Sequence, residues 1–232
     1  MTNNISPEEK AKNIQNMFNN ISWRYDLLNR VLSFRRDVRW RKLSIRKLDP
    51  QNSDTILDLA CGTGDMILTL RKLAPKSVII GGDFSLQMLK MGQKKVTEQL
   101  VAADATCLPF ADKSFDKVTM AFGFRNVTDK PKALREIHRV LKDGGKMCIL
   151  EFSQPKSKIF SKLYWFYFKQ VLPRVGALVS KSKDAYTYLP QSVENFPREE
   201  AYRQMIAEAG FKDLTLTWYD FGICNAAIAK RG

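Results

Sequence analysis

Thr55-Ile-Leu-Asp-Leu-Ala-Cys-Gly-Thr-Gly-Asp65 is an apolar strand running straight into a Gly-x-Gly loop, and its reading decides the fold. A strand, a glycine turn and a helix start build a cofactor pocket, because residues without side chains let the backbone approach a ligand. A dinucleotide fingerprint would place its third glycine at position 67, where this chain has Ile67. It would also seat a pyrophosphate on the helix N-terminus. Asp65 stands at that N-terminus, and an anion there repels pyrophosphate. It suits a cofactor with a cationic end, and S-adenosylmethionine carries both an ammonium and a sulfonium.

Working outward, strand-like runs recur at 55–60, 77–82, 99–103, 116–122 and 146–152, with helical patterns at 65–74, 85–96 and 130–141 between them. Strands alternating with helices of this length predict right-handed βαβ units and a parallel sheet. Asp143-Gly144-Gly145 reads as a turn into the fifth strand. An amphipathic helix at about 198–209 ends at Gly210. Two last strands, 212–219 and 223–229, meet at Asp220-Phe221-Gly222. Before the sheet, Ser6-Pro7-Glu8-Glu9 starts a helix with apolar Ile14, Met17, Phe18 and Ile21, and a basic helix covers Asp37 to Leu48. The pattern predicts an α/β, Rossmann-like seven-stranded sheet closed by an antiparallel hairpin. Residues 1–50 form a helical lid, residues 51–232 the main domain, and a helical insertion lies at about 154–196.

Ligands in such sheets collect at the carboxyl ends of the strands. Gly62, Thr63 and Gly64 follow strand one. Asp83 ends strand two, 21 residues after Gly62, where an acid accepts hydrogen bonds from ribose hydroxyls. Asp104-Ala105 follows strand three, where a carboxylate can take an adenine amino group, and Ala121 is a small residue near the end of strand four. Each alone is an ordinary turn or cap residue. Three in register along one βαβαβ pattern point to a cofactor pocket.

With these residues placed, the chain resembles class I S-adenosylmethionine-dependent methyltransferases, and more narrowly the family that C-methylates quinols in menaquinone and ubiquinone biosynthesis. The resemblance rests on Met17-Phe18, Arg24-Tyr25-Asp26, Leu32-Ser33, Trp40-Arg41 and the glycine-loop segment. It continues through Leu108-Pro109-Phe110, Phe122-Gly-Phe-Arg-Asn-Val-Thr128, Leu150-Glu-Phe-Ser153, Tyr186, Tyr188-Leu-Pro190 and Phe196-Pro197. It implies that Thr63, Asp83 and Asp104-Ala105 contact the cofactor. Two positions depart from the family: the one matching Arg35 is usually glycine, and the one matching Ala121 is serine in some members. The second departure leaves any contact at Ala121 to the backbone.

Methyl transfer to a ring carbon needs a ring hydroxyl ionised or nearly so, held by a cation, hydrogen bonds or a base. Arg125 and Asn126 follow strand four at the active end of the sheet; Arg125 either steadies the phenolate or pairs with an acid such as Glu151. Tyr25, with Asp26, belongs to the lid or to an ordinary helix–core contact. Arg125, Asn126 and Tyr25 are the candidate substrate-side residues. His138, the only histidine, sits among charged neighbours, and no metal site is expected.

The four cysteines form no C-x-x-C pair and read as reduced thiols. No secretory h-region and no spanning apolar run are visible. A formal net charge of +14 favours an anionic partner, or reflects no more than a solvated surface. Lys156–Lys183 holds seven basic residues interleaved with aromatics, and eight more lie between Arg30 and Lys47. Such a segment suits the membrane interface, or caps the active site with aromatics. The expectation is a cytoplasmic enzyme, peripherally associated with the inner face of the membrane, acting on a prenylated quinol and not on nucleic acid; homo-oligomerisation is left open. The reaction is methylation of demethylmenaquinol, or of a methoxy-benzoquinol on the ubiquinone route. The rival is an RNA methyltransferase using the same positive charge. A non-enzymatic scaffold fits poorly with an intact Gly-Thr-Gly, Asp83 and Asp104.

Overall fold

The computed structural model describes residues 6–21, 30, 33–155, 157–171 and 183–232. The strands are β1 (Thr55–Leu59), β2 (Val78–Asp83), β3 (Gln99–Ala102), β4 (Phe115–Ala121), β5 (Leu141–Phe152), β6 (Phe211–Tyr219) and β7 (Cys224–Arg231). They form one sheet in the order β3-β2-β1-β4-β5-β7-β6. The first five run parallel, and β7 is antiparallel to both β5 and β6. The expected seven-stranded sheet with a final hairpin is the fold observed. The described helices are α1 (Pro7–Ile21), α2 (Arg36–Leu48), α3 (Asp65–Leu73), α4 (Leu86–Gly92), α5 (Lys130–Val140), α6 (Lys158–Phe166), α7 (Lys183–Glu194) and α8 (Glu199–Glu208).

Side-chain alternation along the strands sorts two cores. Leu57, Leu59, Met147 and Ile149 face Ala133, Leu134 and Ile137 of α5 and Ile206 of α8. Ile56, Cys148 and Leu150 face Ile67 and Leu70 of α3 and Trp40, Ile45 and Leu48 of α2. Burial on both faces explains why the central strands read as continuous apolar runs. Each fully buried aliphatic side chain contributes about 1.5–3 kcal/mol.

The helix starts follow their caps. The Glu9 amide donates to Ser6 Oγ at 3.1 Å, the Met88 amide to Ser85 Oγ at 3.2 Å, and the Lys132 amide to Asp129 Oδ1 at 2.9 Å. On α2 the buried Asp37, Trp40, Arg41, Ser44, Ile45 and Leu48 repeat at helical spacing. Arg35, just before it, has φ 61°, the left-handed region where glycine is unstrained.

Three local expectations shift. The fifth strand starts at Leu141 rather than 146, because Leu141 already pairs with Phe115; Gly144 then takes φ 74° and the register slips before Lys146 meets Lys117. The helix expected over 85–96 stops at Gly92, where a Cβ would lie 3.1 Å from the Gly62 carbonyl oxygen. Within the stretch expected to be a helical insertion, α6 passes into a π-helical turn at Tyr167–Val171, and α7 follows with Pro190 inside it.

Candidate active site

The strand order reverses between β1 and β4, so their carboxyl ends part and leave a crevice. A cleft of about 1140 Å³, its open mouth included, lies there. Its walls are the loops after β1, β2, β3 and β4, with Ile14 and Gln15 of α1 and Arg41 of α2. α1 is tied to the rim: Gln15 Nε2 donates to the Phe84 carbonyl at 2.7 Å, and Ser85 Oγ donates to Asn19 Oδ1 at 2.6 Å.

The two loop glycines do different work. Gly62 (φ 55°) lines the cleft, and a Cβ built on it would meet nothing within 4 Å, so its missing side chain leaves ligand space. Gly64 (φ 90°) does not line the cleft; its Cβ would fall 2.7 Å from Val96, so this glycine serves the packing of the turn after α4 against α3. Thr63 is buried and lines the cleft.

Asp83, at the tip of β2, fixes this loop. Oδ2 accepts the Gly62 amide and Oδ1 the Ser85 amide, both at 2.8 Å. Burial pushes its carboxyl up, opposed by those two amides. Each oxygen retains a lone pair for a ligand hydroxyl. Asp104 Oδ1 accepts from the Thr106 amide (2.8 Å) and hydroxyl (2.9 Å), a local turn that holds the residue on the cleft wall beside Ala105. Ala121 also lines the cleft.

Asp65 corrects the sequence reading. It is no bare anion facing a cation: Arg30 Nη2 lies 2.6 Å away, Lys95 Nζ bonds the other oxygen, and Arg41 Nη1 is at 3.6 Å. Burial raises its pKa, but Arg41, Lys95 and Arg30 outweigh that and hold it below the usual carboxylate value. Arg41, buried and also paired with Asp37, stands 5.1 Å over the Phe122 ring. Its Nε has no hydrogen-bond acceptor among the described residues. Sequence reasoning gave Arg41 no role; the signal was an Asp37–Arg41 pair at i,i+4 on the apolar face of a helix, where a charge needs a reason. Beneath the loop, Asp58 is fully buried and accepts from Thr119 Oγ1 at 2.7 Å; burial drives its pKa up to about 7.

Arg125 and Asn126 separate. The Arg125 guanidinium is not among the groups lining the cleft. It pairs with buried Glu151 at 2.7 Å and donates to the Phe122 carbonyl, while its amide meets the other Glu151 oxygen at 3.0 Å. Asn126 does line the cleft, and its Oδ1 accepts from the Tyr188 hydroxyl of α7 at 3.0 Å. Tyr25 and Asp26 lie outside the described residues. Phe122, between β4 and these residues, takes φ 57°, a strained conformation for a bulky residue at the centre of the site. Among the described residues no cluster of His, Cys, Asp and Glu could hold a metal.

The sequence profile of the ubiE/COQ5 methyltransferase family matches residues 6–231. The chain belongs to that family. It is 46% identical to a protein of Geotalea uraniireducens named ubiquinone/menaquinone biosynthesis C-methyltransferase UbiE, covering 96% of this chain and 98% of that one. It is 47% identical to a demethylmenaquinone methyltransferase of Thermus thermophilus, covering 93% and 100%. Among solved structures, a SAM-dependent methyltransferase from Thermotoga maritima shares the fold with TM-score 0.69 at 19% identity, over 94% of this chain and 99% of that one. The methyltransferase family expected from the motifs is thus the family found. The site residues missed in sequence, Arg41, Phe122 and Tyr188, were all inside quoted motifs but carried no spacing that distinguished a wall of the site from a core contact.

Proposed function

We propose that this methyltransferase transfers a methyl group from S-adenosylmethionine to a ring carbon of a prenylated demethylmenaquinol. The observation carrying the cofactor half is the open space above Gly62, clamped from below by Asp83 at the β1/β4 switch point. The residues fit the group. Asp83 would hold the ribose hydroxyls, Asp104 and Ala105 the adenine, and Gly62, Thr63 and the Ala121 backbone the middle of the molecule. The amino-acid end of this cofactor is a zwitterion, and the Arg41–Asp65 network, both residues lining the cleft, would present both signs to it. When bound, the cofactor supplies an electrophilic methyl on a sulfonium.

The protein's part is positioning and exclusion of water. Transfer neutralises charge, so the apolar wall of Leu59, Met66, Met120, Phe122 and Val127 favours it over an aqueous site. Asn126, oriented by the Tyr188 hydroxyl, is placed to hydrogen-bond a ring oxygen. Arg125 acts as a positioning residue: through the Phe122 carbonyl and Glu151 it holds the strained turn that presents Asn126. The α1 lid, whose Ile14 and Gln15 line the cleft, would cover the ring.

A methoxy-benzoquinol on the ubiquinone route is the second reading, supported by relatives named for both quinones. The basic surface supports peripheral binding to an anionic membrane. Among the described residues no helix is long and apolar enough to cross one. Mass spectrometry of quinones from cells lacking the protein tests the assignment. Accumulated demethylated naphthoquinone supports the first substrate, a demethylated benzoquinone the second, and an unchanged quinone pool refutes both.

A further inference from the structure

Large apolar side chains that a fold exposes singly need no explanation, but three here converge on one edge. Phe34, in the turn before α2, is 76% exposed; Phe166, at the end of α6, 61%; Phe221, in the β6–β7 turn, 77%. Their segments are joined. The Phe34 ring lies 6.2 Å from Tyr167, the neighbour of Phe166. Asp220, beside Phe221, bonds Arg36 Nη1 at 3.1 Å and Trp40 Nε1 at 2.6 Å on α2. Phe34 and Phe221 are both left-handed, with φ 51° and 60°, and a bulky residue adopts that conformation at a cost. The strain presents two aromatic rings to solvent.

The exposed charge around them is mostly positive, and the partly exposed Asp220 beside Phe221 is paired with Arg36. The exposed positions of α2 and the turn before it include Arg35, Arg36, Arg39 and Lys42, while the only acid of that helix, Asp37, is buried. Lys162, one helical turn before Phe166, is exposed as well. Aromatic rings rimmed by cations match an anionic lipid surface, where rings enter the interface and cations meet headgroups. The face is also continuous with the cleft. Ring contacts run from Phe34 to Tyr167 (6.2 Å), to Phe168 (6.2 Å), to Phe152 (6.4 Å) and to Phe122 (4.8 Å), which lines the cleft.

We infer that Phe34, Phe166 and Phe221, with Arg35 and Arg39, form the face that docks on an anionic phospholipid bilayer. The aromatic series behind it links that face to the catalytic cleft. This rests on the reading of the substrate as a lipid-borne quinol, and it locates the membrane contact at the start of α2 as well as in the aromatic segment read from sequence.

The test is flotation of the full chain with vesicles of phosphatidylcholine alone and with about 30% phosphatidylglycerol. The intact protein should float with the anionic vesicles and dissociate as salt rises. Phe34→Ser with Phe166→Ser should lower partitioning by roughly tenfold or more. Arg35→Gln with Arg39→Gln should remove most of the preference for anionic lipid. Both variants should keep the intact protein's cofactor affinity and its methylation of a short-chain quinol in detergent, which separates docking from misfolding. Docking is overturned if the intact protein ignores anionic vesicles, or if the aromatic variant floats unchanged. It is equally overturned if the patch instead mediates RNA binding or a dimer that the aromatic variant dissolves. Quinol methylation without flotation would sink docking alone; flotation without methylation of any quinol would sink the substrate reading alone.

Discussion

Replacing Asp83 by Asn separates the cofactor-binding role of this carboxylate from its structural one. The two backbone amides it accepts, from Gly62 and Ser85, are both at 2.8 Å. Asn keeps one acceptor oxygen and turns an NH₂ toward the other amide, removing one charge-assisted bond worth about 1.5–3 kcal/mol. Burial raises the Asp83 pKa, so the charge is costly in the fold and its removal offsets part of that loss. Stability should therefore drop by no more than about 1 kcal/mol. The cofactor has no such compensation: it loses a charged acceptor for the ribose and the clamp on Gly62. Its affinity should fall by about 1.5–3 kcal/mol, roughly 10–150-fold. Titration calorimetry with S-adenosylmethionine, beside urea unfolding, measures both. Affinity in the intact protein should also weaken as pH falls through the raised Asp83 value, because the protonated carboxyl loses an acceptor, and the Asn variant should lack that slope. Affinity within about twofold of the intact protein would refute the ribose contact, since the lost bond alone is worth more than that.

Arg35→Gly should stabilise the protein by about 0.5–1 kcal/mol in urea unfolding, the relief of a left-handed arginine exceeding the added chain entropy; destabilisation would mean the Arg35 side chain contributes more than its backbone costs. Glu151→Gln should destabilise by about 3 kcal/mol, because it removes the fully buried carboxylate that pairs with the Arg125 guanidinium; a loss under about 1 kcal/mol would release Arg125 from its positioning role. Asp58, with a pKa near 7 in the folded protein and an ordinary value when unfolded, keeps a proton in the fold that the unfolded chain releases. Stability should thus decline as pH rises from the ordinary carboxylate range to about 7 and then level off. Asp58→Asn should flatten that decline, and an unchanged pH profile of urea midpoints would contradict the burial argument.

Strand positions and the two-faced core were legible because they rest on periodicities that span many residues, such as the runs 55–60 and 146–152. The place of Asp83 at the tip of β2, on the cleft wall, was legible because the distance from Gly62 is set by one βα unit. Gly64 was not separable from Gly62, since only packing against Val96 distinguishes a glycine that makes room for a helix turn from one that makes room for a ligand. Asp65 was read as an anion suited to a cationic cofactor end, and its partners Arg30, Arg41 and Lys95 were not legible because they come from sequence positions up to 35 residues away. Arg125 and Asn126 are adjacent in sequence, yet the short 3-10 turn at Phe124–Asn126 sends one guanidinium to Glu151 and the other side chain to the cleft. No pattern of residue types encodes that divergence. The aromatic segment told of an apolar, basic surface but not that Phe34 and Phe221 would lie near it, because that proximity is created by the Phe34–Tyr167 ring contact and by Asp220, beside Phe221, bonding to α2.

The central claim is the methyl acceptor. Purified protein given S-adenosylmethionine labelled in its methyl group should transfer the label to the ring of a prenylated demethylmenaquinol in mixed micelles or vesicles. Mass spectrometry should place one new methyl on the ring carbon. Replacing Asn126 with Ala should cut turnover by about 10²-fold with cofactor affinity unchanged. Label appearing in RNA, or in no quinol of either ring type, would contradict the account.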